Sequence, residues 1–118
     1  MKTHISFQAH AEHLQVVLHG AFPSTTFREL LLSIRNEADR SGHTRILVDA
    51  FGLPAPDSDL YRFWIGEAVA DIFKSDYRFA VACRPEFINK FVENVAVNRG
   101  SQVLVVGDEH EALHWLMS

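Results

Sequence analysis

The stretch NRGSQVLVVGDEHEALHWLMS, Asn98 to Ser118, contains the clearest structural signal in this chain. Val103 to Val106 form an uninterrupted apolar run, which is typical of a strand buried on both faces. Gly107 ends the run, and Asp108 begins a helix with one apolar face. A strand that is buried on both faces needs a covering layer on each side. The stretch therefore predicts a layered α/β domain rather than a helix bundle or a β-sandwich.

Length and composition indicate one globular domain over residues 1–118. A chain of 118 residues, 47% of them hydrophobic, can bury a core without metals or disulfides. Its 11 Lys and Arg stand against 15 Asp and Glu, and the net charge of -4 disfavours broad binding of nucleic acid. The single cysteine, Cys83, excludes an internal disulfide and suits a reducing compartment.

No targeting or membrane segment is apparent in the sequence. The N-terminal residues MKTHISFQAHAEH lack the apolar core of a signal peptide. No apolar run approaches the roughly 20 residues that a membrane helix needs. We therefore expect a cytoplasmic protein with no stable membrane insertion.

The whole sequence predicts the element order ββαβαβαβα, with turn or capping residues at the boundaries. Right-handed crossovers then give a mixed, mostly parallel five-stranded sheet covered by helices on both faces, with the first strand antiparallel at an edge. Ala50–Asp57 contains two prolines and a glycine and is predicted to be a loop. The other predicted elements are a strand over residues 4–9, a strand at Leu14–Leu18, a helix from residues 24–26 to Ser41, a strand at Arg45–Asp49, a helix at Ser58–Lys74, a strand at Arg78–Cys83, a helix from Pro85 to about Asn98, and the strand and helix described above.

In this order and at this length the chain resembles the STAS or SpoIIAA-like domain family, and most of all its small stand-alone SpoIIAA-like members. The resemblance rests on the segment that begins at Asp49 after the third strand, on Asn98-Arg99-Gly100 before the last strand, and on the helix from Asp108 to Leu116. That helix matches an acidic-x-x-acidic-Ala-Leu-x-Trp-Leu pattern. The resemblance implies a SpoIIAA-like α/β fold over the whole chain. By analogy it also implies a non-enzymatic regulatory or protein-interaction module, for which we expect a homodimer.

The segment after the third strand departs from that family. Members that antagonise anti-sigma factors carry a phosphorylatable Ser or Thr in an Asp-Ser-Ser/Thr-Gly context, whereas this chain has Asp49-Ala50-Phe51-Gly52. Phosphorylation needs a hydroxyl, and neither Ala50 nor Phe51 has one. Ser58 is a substitute acceptor or, in the interpretation that we prefer, the N-cap of the second helix. The sequence therefore predicts a module without the phosphoserine switch of its family.

Apolar side chains of the predicted loop and the second helix favour a patch at the carboxyl edge of the sheet, where ligands of open α/β sheets bind. Phe63 falls on the helix face opposite the apolar centre, and Leu60 lies close to it. We expect either a protein-binding surface or the mouth of an apolar ligand site. In the alternative, the loop folds over Phe63 and forms a satellite core. The patch comprises Phe51, Leu53, Pro54, Leu60, Phe63 and Trp64.

Polar residues of the same region form a second candidate site, comprising Asp49, Asp57, Ser58 and Arg99. With Asp59, the first two make a carboxylate cluster suited to acid–base or Mg²⁺ chemistry. Helix capping by Asp57 or Ser58 is the interpretation that we prefer. We expect Arg99 to bind a carboxylate or to stabilise the C-terminus of the third helix.

Histidine and cysteine spacing does not predict a metal or cofactor. His110 and His114 share a helical face at a spacing that can chelate zinc, but no third ligand lies near them in sequence. We interpret them as surface histidines. Cys83 is interpreted as a buried thiol, although the adjacent Arg84 would favour a thiolate if the thiol were exposed.

Three classes of function stay open at this point. The first is the regulatory or interaction module with a protein partner. The second is a small binding protein for a lipid or other apolar molecule, because SpoIIAA-like domains resemble lipid-carrier folds of the Sec14 type. The third is an enzyme that uses Asp49, Asp57 and Asp59, for which no nucleophile–base pair is visible.

Overall fold

A computed structural model describes residues 2–23, 25–54, 59–85, 88 and 91–118. Five strands and four helices lie in this part of the chain, in the order ββαβαβαβα. They are β1 (Thr3–Ala9), β2 (Leu14–Gly20), α1 (Phe27–Ser41), β3 (Arg45–Gly52), α2 (Asp59–Ile72), β4 (Arg78–Ala82), α3 (Phe91–Asn98), β5 (Gln102–Val106) and α4 (Glu109–Met117).

The sheet has the strand order β1-β2-β3-β4-β5, so neighbours in the chain are neighbours in space. β1 pairs antiparallel with β2, and every later pair is parallel. The predicted mixed, mostly parallel sheet with an antiparallel edge strand is therefore confirmed. Because each right-handed crossover steps in the same direction across the sheet, α1, α2 and α3 lie on one face.

Side chains of the parallel strands alternate between two cores. On the face covered by α1, α2 and α3, strand residues such as Ile46, Val48 and Phe79 join the larger hydrophobic cluster. Leu47 and Ala80, which neighbour them in sequence, belong to the second cluster on the other face. Both faces of the central strands are thus buried.

Helix α4 covers the second face of the sheet. It contributes Ala112 and Leu116, both fully buried, against the short side chains of Ala80 and Ala82. Small residues on both sides let the helix backbone approach the sheet closely. Between α4 and β2 the contact is polar. The Gln15 amide of β2 donates to a carboxylate oxygen of Glu109 in α4 at 3.2 Å.

Strand β5 lies at the sheet edge, where unpaired backbone groups need partners. The backbone N–H of Val105 donates to the Glu93 carboxylate of α3 at 2.9 Å. The Glu93 carboxylate thus binds a backbone N–H at the sheet edge that would otherwise be open to pairing with another strand. Leu104 and Val105 are half-buried rather than buried, because the edge strand is covered less completely than its neighbours.

Two predicted boundaries are wrong. β3 continues to Gly52, so Ala50 and Phe51 lie in a strand and not in the predicted loop, because the parallel pairing with β2 reaches Gly52. Helix α3 begins at Phe91 and not at Pro85. Pro85 instead begins a short turn, in which the N–H of Ile88 donates to its carbonyl at 3.2 Å.

Gly42 and Gly100, which follow α1 and α3, have left-handed φ angles of 77° and 95°, as is common for residues that end helices. The backbone N–H of Gly42 bonds to the last turn of α1, as in a Schellman-type C-cap. At the start of α4, the Asp108 carboxylate accepts from the N–H of His110 at 2.8 Å. This bond is the N-cap that the sequence indicated.

Gly20 and Gly42 offer a matched test of backbone constraint. Both have positive φ, but a Cβ at Gly20 would overlap the backbone carbonyl oxygen of Lys2, whereas a Cβ at Gly42 meets nothing within 4 Å. We expect Gly42→Ala to lower the free energy of unfolding by about 1 kcal/mol from left-handed strain alone. Gly20→Ala should cost clearly more in urea denaturation. Equal losses of unfolding free energy in the two variants would show that overlap with the Lys2 carbonyl oxygen does not destabilise Gly20→Ala.

Tyr77 joins the end of α2 to α1 at the amino edge of the sheet. Its ring packs edge-on against Phe73 with centroids 5.5 Å apart, and its hydroxyl donates to the Asp39 carboxylate. The Arg35 guanidinium lies 5.6 Å from the ring centroid. The hydrogen bond to Asp39 raises the pKa of Tyr77 above its ordinary value, and burial adds to the effect.

This raised pKa predicts a loss of stability at alkaline pH. The folded state favours the protonated phenol, so its contribution is complete below the unfolded pKa of about 10 and is lost as pH rises through the folded pKa. Tyr77→Phe should be less stable than wild type at neutral pH, and the difference should shrink at high pH. Urea midpoints measured across the alkaline range test this. A difference that does not change with pH would contradict it.

Candidate functional site

A cavity of about 180 Å³ lies between the sheet and the layer formed by α1, α2 and α3. Its floor consists of strand side chains near the carboxyl ends of β3, β4 and β5, which include Ala50, Val81 and Val105. Helix α2 contributes Ile65 and Val69 to the opposite wall. This is the edge of an open α/β sheet at which ligands bind. The structure thus has a largely apolar cavity at this edge of the sheet, and the predicted binding site there stays a prediction.

The loop before α1 closes another side of the cavity. Phe22 and Pro23 contribute to the lining, as does Phe27 at the first position of α1. The core face of α1 is formed by Leu31, Ile34 and Ala38, which are buried in the larger cluster. Of these, Leu31 and Ile34 also border the cavity.

Within the described part of the chain, three side chains with polar or ionisable groups border the cavity. They are Arg62 of α2, Cys83 after β4 and Glu93 of α3. Glu93 is held in place by the Val105 N–H, and the backbone N–H of Cys83 donates to the Val106 carbonyl at 3.0 Å. The thiol of Cys83 is half-buried, between the buried and exposed alternatives that the sequence left open. As far as the described residues show, the site therefore combines an apolar interior with one cationic and one anionic side chain.

The structure divides the six residues of the predicted apolar patch among separate locations. Leu53 and Pro54 line the cavity. Phe51 packs on the opposite face of the sheet, against the cluster beneath α4, because successive strand residues point to opposite faces. The other three lie along α2 and are Leu60, Phe63 and Trp64. That the six act together as a binding site stays a prediction.

The outer surface of α2 exposes two bulky apolar side chains. Leu60 is 55% exposed and Trp64 is 41% exposed, and they lie one turn apart. Trp64 packs edge-on against Tyr61, with ring centroids 5.6 Å apart. Tyr61 in turn meets Phe22 at 6.1 Å. We call Leu60, Tyr61, Trp64 and Phe22 the α2 surface.

Phe63 faces α3 rather than the α2 surface. The Arg99 guanidinium lies 5.9 Å from the centroid of its ring, and the same guanidinium binds Glu67 at 3.1 Å. The expectation that Arg99 binds a carboxylate is confirmed. The covering of Phe63 includes this cation–π contact. The alternative in which the predicted loop folds over Phe63 involves residues 55–58, which lie outside the described residues.

Among the residues of the predicted polar site, Asp49 makes a hydrogen bond to the backbone. Its carboxylate accepts from the backbone N–H of Phe51 at 3.1 Å, two residues along β3. Arg84 reaches the same segment, with its Nε donating to the Phe51 carbonyl at 3.2 Å. Asp57 and Ser58 lie outside the described residues, as does the side chain of Asp59. The carboxylate cluster therefore stays a prediction.

The described residues contain no group of three or more His, Cys, Asp or Glu side chains that could hold a metal ion. His110 and His114 are both exposed on α4. Elsewhere, His10 and His13 stack with ring centroids 4.5 Å apart beside the turn that joins β1 and β2. Partial burial lowers the pKa of His13, and the nearby His10 and His43 lower it further. Among the described helices, none is long and apolar enough to cross a membrane.

Sequence reasoning missed Arg62 and Glu93 as members of the site. A signal for Arg62 was present, because it lies three residues before Ile65 and seven before Val69 and so shares their inward helical face. A charged residue on an otherwise core-facing stripe is unusual. Nothing in the sequence around Glu93 distinguishes it from other acidic residues in the first turn of a helix.

This mixed sheet, with three helices on one face and α4 on the other, is the SpoIIAA-like fold. A crystal structure of an anti-sigma factor antagonist from Mycobacterium paratuberculosis shares it with a TM-score of 0.66 and 9% sequence identity, over 99% of this chain and 96% of that one. An uncharacterised protein with a SpoIIAA-like fold from Shewanella loihica PV-4 matches with a TM-score of 0.54 and 16% identity, over 97% and 93% of the two chains. No protein-family model and no curated protein matches the chain. At these identities the likeness shows the fold alone, which confirms the fold expected from the sequence.

The contact at Asp49 yields a test of its role. If its carboxylate serves only to accept the Phe51 N–H, Asp49→Asn should stay within about 0.5 kcal/mol of wild type because an amide oxygen can replace the acceptor. Asp49→Ala should lose about 1 kcal/mol of unfolding free energy in urea denaturation. An Asn variant as unstable as the Ala variant would show that the negative charge matters in its own right.

Proposed function

We propose that this chain is a non-enzymatic regulatory module that works by binding a protein partner through the α2 surface. The observation that carries the proposal is the pair of exposed apolar side chains, Leu60 and Trp64, on a helix whose opposite face is already buried in the core. The fold is consistent with such a role, since one solved structure that shares it is an anti-sigma factor antagonist.

The composition of the α2 surface matches that of the centre of a protein interface. Tryptophan and tyrosine are enriched at such centres, and truncation of a well-packed tryptophan commonly costs more binding energy than other substitutions. The ring contacts from Trp64 to Tyr61 and from Tyr61 to Phe22 also restrain the side chains before a partner arrives. A restrained surface loses less conformational entropy on binding.

We further propose that the module works without a phosphoserine after β3. The side chain at position 50 is a methyl group that lines the cavity, and Phe51 packs against the cluster beneath α4. Neither position therefore has a hydroxyl group that a kinase could phosphorylate. Control by an added phosphate would then need a residue elsewhere in the chain.

The protein partner is the occupant that we propose for the α2 surface, and a second copy of the chain is the simplest instance of it. An isologous pair would bring two α2 surfaces together across a two-fold axis. Sedimentation of untagged protein over a range of concentrations distinguishes this homodimer from a monomer that binds a different protein.

Aspartate substitutions on α2 test the proposal. The double variant Leu60→Asp/Trp64→Asp should abolish or weaken partner binding by at least about 2 kcal/mol, because it places charge in a desolvated contact. Leu32→Asp is the matched control, since Leu32 is a leucine of α1 with 47% exposure outside the α2 surface. The measurement is affinity capture from the native extract together with sedimentation.

The proposal predicts proteins, or a second copy, that bind to the wild type and to Leu32→Asp but not to the double variant. Circular dichroism of all three proteins establishes that they are folded. If the double variant retains the same proteins and the same sedimentation coefficient as the wild type, the α2 surface is not the interaction site.

A further inference from the structure

We propose that the cavity between the sheet and α2 is a binding site for one small, uncharged, apolar molecule about the size of a single aromatic ring. The cavity shares Phe22 with the α2 surface but not Leu60, Tyr61 or Trp64. The inference rests on the volume of the cavity, on the chemistry of its walls and on the balance of charge around it.

The walls favour an apolar guest over water. The strand residues that form the floor, among them Val48, Phe79, Val81 and Val103, present only hydrocarbon to the interior. A buried water needs two to four polar partners, which this floor does not supply. An apolar guest would instead gain dispersion contacts with the close-packed walls.

The volume sets the size of the guest. At about 180 Å³ the cavity is slightly larger than an engineered apolar cavity of about 150 Å³, known in another protein, that binds benzene or xenon. Sites for drug-sized ligands begin at about 300 Å³. A complete diacyl lipid is therefore too large, and the site suits a ring of six to ten non-hydrogen atoms or a short branched alkyl group.

The charges that border the cavity favour a neutral guest. Among the described residues of the lining, Arg62 of α2 and Glu93 of α3 carry charges of opposite sign. A guest with a charge of either sign would therefore lie near a side chain of like charge. Moving a charged guest from water into these surroundings would also cost its hydration free energy. A neutral molecule avoids both costs.

Strand β5 provides matched variants for a test. Val105 borders the cavity, whereas its neighbour Leu104 packs on the opposite face of the sheet. Both are half-buried, so Val105→Phe and Leu104→Phe place the same new side chain on opposite faces. Val81→Phe is a second cavity-filling variant, which keeps the test decisive if Val105→Phe does not fold.

The probes are benzene, indole and xenon, added to the full chain and followed by ¹⁵N–¹H NMR and by thermal unfolding. We expect saturable shifts confined to residues around the cavity, one guest per chain, and a rise in melting temperature with guest concentration. Filling the cavity through Val105→Phe or Val81→Phe should weaken binding by about tenfold or more, the scale on which apolar pockets discriminate by size. Leu104→Phe should bind as the wild type does.

Three results would overturn the inference. The first is the absence of saturable shifts with all three probes in folded wild-type protein. The second is equal binding by Leu104→Phe and the cavity-filling variants. The third is stoichiometric binding of a sixteen-carbon fatty acid with higher affinity than indole, which would replace the ring-sized guest with a lipid. None of these results depends on partner binding through the α2 surface.

Discussion

Burial of β3 and β4 on both faces is the constraint on which the rest of the structure depends. Alternate residues of each strand point into different cores, so one sequence must satisfy two packing environments at once. Three crossovers of the same hand cover one face with α1, α2 and α3. Among the described elements, the second face is left to α4. The alanines of β4 and α4 are the consequence, since they let one short helix seal that face.

The two faces differ in how tightly they are filled. Beneath α4, Ala82, Ala112 and Leu116 are all fully buried. On the other face, the large side chains of Phe73 and Phe79 fill the amino end of the core, with ring centroids 4.6 Å apart. Short side chains take their place towards the carboxyl ends of the strands, where the cavity lies. The cavity thus follows from the gradient of side-chain size along the strands.

The fold was predictable because its signals are local. The β5–α4 segment, the β1–β2 hairpin and the glycines that end α1 and α3 are set by periodicity and by turn chemistry within a few residues. One of the two boundaries that failed depends on a distant partner. Gly52 pairs with His19 of β2, over thirty residues away, and this pairing outweighs the loop signal of the following prolines. Pro85 is a good first residue of a helix, but here it begins a separate turn before α3.

The position of the cavity at the carboxyl edge of the sheet follows from the topology, but the side chains that line it do not. Leu53 and Pro54 line the cavity there. Phe51 packs on the opposite face, because it belongs to β3 and successive strand residues point to opposite faces. The distinction between an exposed Leu60 and a Phe63 covered by Arg99 requires the position of α3, which no local pattern specifies.

Helix α2 is packed less efficiently than the rest of the fold on two of its sides. It exposes the apolar side chains of Leu60 and Trp64 outwards, while Ile65 and Val69 face an incompletely filled core. Ion pairs hold the helix to its neighbours, from Glu67 to Arg99 just after α3 and from Asp71 to Arg28 of α1. Such local departures from efficient packing concentrate at functional positions, because folding alone does not favour them. A helix held to its neighbours, with an outward apolar surface and a cavity behind it, is therefore the element of this domain from which function is best inferred.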